Sequence, residues 1–132
     1  MINVDPRSST PIYEQVELSV KELIMKGIYK KGDKLPSVRE LASTLTINPN
    51  TISKAYGGLE RAGIIETIRG RGTFVSEEIE RKVDNMAREK ISRGLKKVIL
   101  EASYSGITKD EFIKLSLDIY AKLGVEDNDK RK

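Results

Sequence analysis

The 132-residue chain contains no cysteine and no histidine. Those absences exclude disulfides, thiol nucleophiles and zinc sites built on thiolate or imidazole, and they remove the side chain most used as a general base near neutral pH. Any catalysis would have to rest on carboxylates, Lys, Ser or Tyr. The sequence offers neither a phosphate-binding loop nor a carboxylate pair framed by a cleft-forming pattern, so the chain is read as a non-enzyme with no metal and no cofactor. Long apolar runs are also missing, and none approaches the roughly 18 residues that a membrane span requires. The start, MINVDPRSSTPIYEQ, shows no charged segment followed by an apolar one. No signal peptide is expected, and the expected address is cytoplasmic, without membrane contact.

What is present suits a protein with much exposed helix. Hydrophobic residues make up 38% and charged residues 33%. A chain of this length can bury one modest core, or one small domain with an appended helical element. The formal net charge is +4, and its placement says more than its size. Between Lys30 and Ser76 eight Lys/Arg face four acids, whereas from Glu77 onward thirteen face twelve. The excess sits in one segment, either as a solvated face or as a surface for an anionic partner.

Residues 1–10 are a polar lead-in. Pro11 suits a first helical position with Thr10 as cap, and Ile12, Val16, Val20, Leu23, Ile24 and Ile28 predict a helix over Pro11–Lys26 with one buried stripe. Lys31-Gly32-Asp33 is a turn. Ser37-Val38-Arg39-Glu40 is a capping box, and the helix it opens buries Val38, Leu41, Ala42 and Leu45. Thr46 and Ile47 break the pattern. Asn48 as cap and Pro49 at the first position restart it, with Ile52, Ala55, Tyr56 and Leu59 as the buried stripe. Tyr56 is expected in the core with its hydroxyl reaching outward. Gly57-Gly58 in mid-helix costs about 1 kcal/mol per glycine relative to Ala. Either these are exposed, neutral positions, or the missing side chains permit close approach of a binding partner or of another helix. Gly63 ends the helix. The β-rich runs Ile64–Ile68 and Thr73–Val75 are joined through Arg69-Gly70-Arg71-Gly72, which suits a tight hairpin.

Two helical patterns, a tight break and a basic hairpin, in that order, are what a winged helix-turn-helix needs. One helix props a second in the DNA major groove while the hairpin reaches the neighbouring minor groove. From Glu77 the texture changes to long helix, with Ile79, Val83, Met86, Ala87, Ile91, Leu95, Val98 and Ile99 at threes and fours and Gly94 as a kink or a close helix contact. Ser105-Gly106 breaks it, Thr108–Glu111 is a second capping box, and a last helix carries Phe112, Ile113, Leu115, Ile119, Tyr120 and Leu123 before Gly124. The expected fold class is α+β, mostly helical. A winged helix-turn-helix domain over 1–76 is followed by a two-helix dimerisation segment over 77–124 and a disordered charged tail over 125–132.

The stretch from Pro11 to Ser76 resembles the GntR family of bacterial transcription regulators. The residues that carry the likeness are Pro11-Ile12-Tyr13, Gly27-Ile28-Tyr29, Gly32-Asp33-Lys34-Leu35-Pro36-Ser37, Arg39-Glu40-Leu41-Ala42, Thr51, Ala55-Tyr56, Leu59-Glu60, Gly63 and Gly70–Val75. Only two helices' worth of chain follows, which resembles the YtrA-type subfamily. The resemblance implies a dimeric repressor of its own operon and of a neighbouring ABC transporter operon. Many GntR proteins place a guanine-reading Arg where this chain has Pro49 and Ser53, so the family's common operator is not carried over.

The candidate DNA-binding residues are Ser37, Arg39, Asn50, Thr51, Ser53, Lys54, Arg69, Gly70 and Arg71. The N-terminal end of a recognition helix lies within reach of base edges. There Asn50 can pair with adenine, Thr51 can meet a phosphate or a thymine methyl, and Lys54 can reach guanine or phosphate. Plain helix capping is the alternative for Asn50 and Thr51, and an internal salt bridge for Arg39. Arg69 and Arg71 suit the negative potential of a narrow minor groove. The candidate dimerisation residues are Val83, Met86, Ile91, Leu95, Phe112, Ile119 and Tyr120, on stripes wider than one small domain can cover; folding back onto that domain is the alternative. Tyr104, Phe112 and Tyr120 serve packing or line an effector pocket, and the residues specify no effector. The expected partners are a roughly palindromic double-stranded operator and a second copy of the chain. The rival reading is a winged helix used for protein–protein contact without DNA.

Overall fold

Val16, Val20 and Leu23 fall on one face at helical spacing and all three are buried, which makes α1 (Ile12–Met25) the first wall of the core. The computed structural model describes residues 1–79 and 84–125, so Val83 and the charged stretch 126–132 lie outside the described residues. Helix α1 starts one residue later than the capping pattern predicts. Pro11 occupies the cap position with extended backbone and no side-chain cap, and its carbonyl accepts from the Gln15 N–H. The Thr10 carbonyl accepts from Gln15 Nε2 at 2.7 Å. Ile28 lies beyond the helix and is exposed. The polar lead-in is anchored: Ile2 is buried and Val4 packs against the same cluster.

After α1 come β1 (Lys34–Leu35), α2 (Val38–Leu45), α3 (Pro49–Arg61), β2 (Ile65–Ile68) and β3 (Gly72–Val75). The strands form an antiparallel sheet in the order β1-β3-β2, with Leu35 opposite Thr73, and Ile65 and Ile68 opposite Val75 and Gly72. The two-residue β1 is absent from the pattern reading, because two residues are too short to display a period. Val16, Val20, Leu35, Ile52, Leu59, Ile65 and Val75 are the most deeply buried large side chains, and Leu41 and Ala42 bring α2 to the same cluster. All four residues of the expected α3 stripe are buried. Ile79 packs on this core as well. The long helical texture expected from Glu77 onward is therefore corrected: Ile79 belongs to the first compact unit, which ends at Glu80.

The second unit contains α4 (Asn85–Tyr104) and α5 (Lys109–Leu123). Asp84 Oδ1 caps α4 by accepting from the Met86 N–H at 3.0 Å. Gly94 neither interrupts α4 nor touches another helix. The Thr108/Glu111 capping box opens α5, and Gly124 closes it in the left-handed region. Among the described residues, five helices and three short strands give the expected α+β, mostly helical fold. No helix among the described residues is long and apolar enough to cross a membrane.

Candidate nucleic-acid interface

The helix-turn-helix is fixed by two N-terminal caps and one strained residue between them. At the start of α2, Ser37 Oγ accepts from the Glu40 N–H at 3.0 Å, and Glu40 Oε1 accepts from the Ser37 N–H at 3.0 Å. The backbone bond to Ser37, and then the side-chain bond, hold the Glu40 carboxyl below its ordinary value. Ser37 Oγ thus spends an acceptor site on the cap, and its O–H is engaged by the Glu40 carboxylate. Arg39, one residue into the helix, is exposed. At the far end Thr46 sits at φ 56°, ψ 49°, a left-handed conformation uncommon for a β-branched residue. The Ile47 N–H donates back to the Ala42 carbonyl at 2.9 Å and closes the helix end.

Two residues later Asn48 Oδ1 accepts from the Asn50 N–H at 2.8 Å, and Pro49 takes the first helical position. The cap is therefore Asn48, and the Asn50 side chain is left exposed. Asn50, Ser53 and Lys54 share one face of α3, three and four residues apart, opposite the buried stripe. Thr51 is half-buried at the margin of that face. Lys54 leans towards α1, its Nζ 4.0 Å from the centroid of the Tyr13 ring.

Tyr56 corrects one expectation. Its hydroxyl does not reach outward but donates to the Pro36 carbonyl at 2.7 Å, tying α3 to the residue before the α2 cap. Burial is the main reason its pKa rises, followed by neighbouring Tyr29 and Glu40. Gly58 faces α1 rather than empty space: a Cβ there would collide with the Glu17 carboxylate. Gly57 meets only the far end of Arg61.

In the wing, β2 and β3 are joined by Arg69-Gly70-Arg71, all exposed. The Arg71 N–H donates to the Ile68 carbonyl at 2.9 Å with Gly70 at φ 81°, the positive angle that the third residue of a type II turn needs. Sequence reading missed Lys34. Paired opposite Phe74, it lays its stem against Gly72 and adds a third cation beside the wing arginines. Only the strand pairing reveals this, since Lys34 stands some 35 residues earlier in the chain. Among the described residues no carboxylate lies within 4.0 Å of Arg39, Lys54, Arg69 or Arg71.

The second unit exposes many large apolar side chains. Met86, Ile91, Leu95, Ile119 and Tyr120 are exposed, Phe112 is half-buried, and Ala102 is the one buried residue described in the two helices. Leu95, Ile99, Phe112, Ile113, Leu117 and Tyr120 line a groove of about 530 Å³ between α4 and α5. Tyr104 is almost fully exposed and does not line it.

Known proteins carry the same arrangement. Residues 12–75 match the family described as bacterial regulatory proteins, gntR family. The HTH-type transcriptional repressor YtrA of Bacillus subtilis (strain 168) is 54% identical over 123 residues, covering 90% of this chain and 95% of its own. A crystal structure titled as a transcriptional antiterminator from Listeria monocytogenes EGD-e superposes with a TM-score of 0.84 at 35% identity, covering 96% of this chain and 95% of that one. The AraR DBD crystallised in complex with operator ORX1 superposes with a TM-score of 0.51 at 32% identity, over 56% of this chain and 92% of that one. With the winged helix-turn-helix in place and a repressor more than half identical along nearly its whole length, the chain belongs to the gntR family of bacterial regulatory proteins.

Proposed function

We propose that the protein is a sequence-specific regulator that binds double-stranded DNA as a homodimer and represses transcription in the cytoplasm. The observation that carries this reading is the exposed face of α3, where Asn50, Ser53 and Lys54 stand together at the N-terminal end of a helix whose start is fixed by Asn48 and Pro49. Arg39, Asn50 and Lys54 read base edges; Ser37, Thr51 and Ser53 meet phosphates; Arg69, Gly70 and Arg71 enter the minor groove. The operator complex of the AraR DBD supports DNA as the partner, and the name of the B. subtilis relative supports repression. Likeness to the YtrA type supports its own operon and a neighbouring ABC transporter operon as targets.

The second unit supports the dimer. Two helices with a single buried alanine have no core of their own, and a matching apolar surface on a second copy covers both stripes. Two tethered reading heads act at high effective concentration, so the operator is roughly palindromic.

Titrating the full-length protein with a duplex carrying the palindrome upstream of its own coding region, and with a random duplex, tests the reading. The expected result is a preference of about 10³-fold or more for the palindrome. Log affinity should also fall linearly with log salt, by about 0.9 per phosphate neutralised. Equal affinity for both duplexes, or no dependence on salt, would favour a winged helix that serves protein contacts.

A further inference from the structure

We propose that Tyr13 is a positioning residue for DNA readout: its ring holds the Lys54 ammonium at a set place beside the reading end of α3 and so decides which base position the lysine addresses. The inference rests on α3 being the reading helix. It starts from a contact that neither helix capping nor the packing of the Tyr13 ring on the core requires. Lys54 Nζ lies 4.0 Å from the centre of the Tyr13 ring, and the ring belongs to the first turn of α1, forty-one residues earlier in the chain.

A lysine stem has several rotatable bonds, so a free Lys54 would sweep its charge over several positions and select none. A carboxylate could fix it, but would cancel its charge and repel phosphate. An aromatic face fixes the cation through its quadrupole, leaves the positive charge intact, and leaves N–H groups on the far side free for a base acceptor. Among the described residues no carboxylate lies within 4.0 Å of Lys54.

The contact is built into the helix seam. One turn further along both helices, Glu17 of α1 lies against Gly58 of α3, where a Cβ would collide with the Glu17 carboxylate. Tyr13 to Glu17 and Lys54 to Gly58 are each four residues, so the two contacts repeat in register along a seam that keeps α1 close to the reading helix. Tyr13 itself is half-buried against the core, which limits where its ring can go.

Binding-site selection on full-length protein tests this with Lys54→Ala, Tyr13→Leu, Tyr13→Phe and the double variant Tyr13→Leu/Lys54→Ala, each first checked for a native melting transition. Lys54→Ala should relax preference at one operator position in each half-site. Tyr13→Leu should relax the same position and weaken operator binding about three-fold per half-site, the fold-change of one exposed cation–π contact. Tyr13→Phe, which keeps the ring, should select as the parent does, and Tyr13→Leu should change nothing further in the Lys54→Ala background. In the DNA-free protein, the Lys54 Hε resonances should be shifted upfield by the ring and lose that shift in Tyr13→Leu. The proposal fails if Tyr13→Leu leaves selection intact, or if it costs as much without Lys54 as with it. A Lys54→Ala protein that selects the parental operator would instead remove Lys54 as a reader, and the role of Tyr13 with it.

Discussion

Tyr56 ties the two helices of the helix-turn-helix together through one hydroxyl. Its ring is buried with the α3 stripe while its proton goes to the Pro36 carbonyl, twenty residues back, at the threshold of α2. Burial first, then neighbouring Tyr29 and Glu40, favours the neutral phenol and raises its pKa above the ordinary 10.0. Tyr29 is raised too, by burial and then by Asp33. For an acid whose folded pKa is raised, the stabilisation is complete below the unfolded value and is lost as pH climbs through the folded one. The protein should therefore lose stability above pH 10. Tyr56→Phe should lower the unfolding free energy by about 1 kcal/mol at neutral pH, the worth of one hydrogen bond, and should flatten the alkaline decline, with Tyr29 accounting for what remains. Urea unfolding of both proteins at pH 7 and above pH 10 measures this, and an equally steep decline in the variant would contradict it. The sequence showed the face on which Tyr56 lies, because helical period reports faces. It could not show where the side chain ends, because the acceptor is a backbone carbonyl brought there by the fold.

Elements were legible in proportion to how local their causes are. Ser37/Glu40, Asn48/Pro49 and Thr108/Glu111 each act within a turn, and each appears in the structure where the spacing put it. The misread starts have non-local causes. Pro11 stands at a cap position because Gln15 ties Asp5 and Thr10 to the first turn of α1, and β1 exists only because β3 passes beside it. The same division governs the candidate site, where the reading face of α3 follows from its own stripe while Lys34 joins the wing only through the sheet. Between α2 and α3, Thr46 carries a left-handed backbone, which costs a residue with a Cβ about 1–2 kcal/mol relative to glycine. Thr46→Gly should stabilise the domain by up to about 1 kcal/mol, since the glycine also loosens the unfolded chain. Asn48→Ala should destabilise it by about 1 kcal/mol through loss of the α3 cap. Thermal melts of the two variants should therefore shift in opposite directions, and a Thr46→Gly protein that melts lower than the parent would show that the turn needs threonine for another reason.

At the scale of the whole molecule, the candidate wing and α3 cations belong to the first unit and the uncovered apolar stripes to the second. The stripes were visible as periodicity, yet periodicity says only that a face seeks cover, without naming what covers it. The groove between α4 and α5 makes that demand concrete, because Leu95 and Ile99 on one wall face Phe112, Ile113 and Leu117 on the other, with Leu95, Ile99, Ile113 and Leu117 still exposed to solvent. In the proposed dimer a charge placed there would oppose the association of two copies while leaving the core of the first unit unaltered. Ile99→Asp should therefore shift the full chain from dimer to monomer in light scattering at micromolar concentration, since a buried, unpaired carboxylate opposes any apolar interface. The far-ultraviolet signal and the melting of the first unit should persist. Operator affinity should fall by about 10² or more, because the second half-site would no longer be bound at high effective concentration. Affinity for random duplex should change far less, because it depends on phosphate contacts made by each head alone. Two results count against the dimer: a parent protein that already runs as a monomer, or an Ile99→Asp protein that stays associated and binds the palindrome as tightly as before.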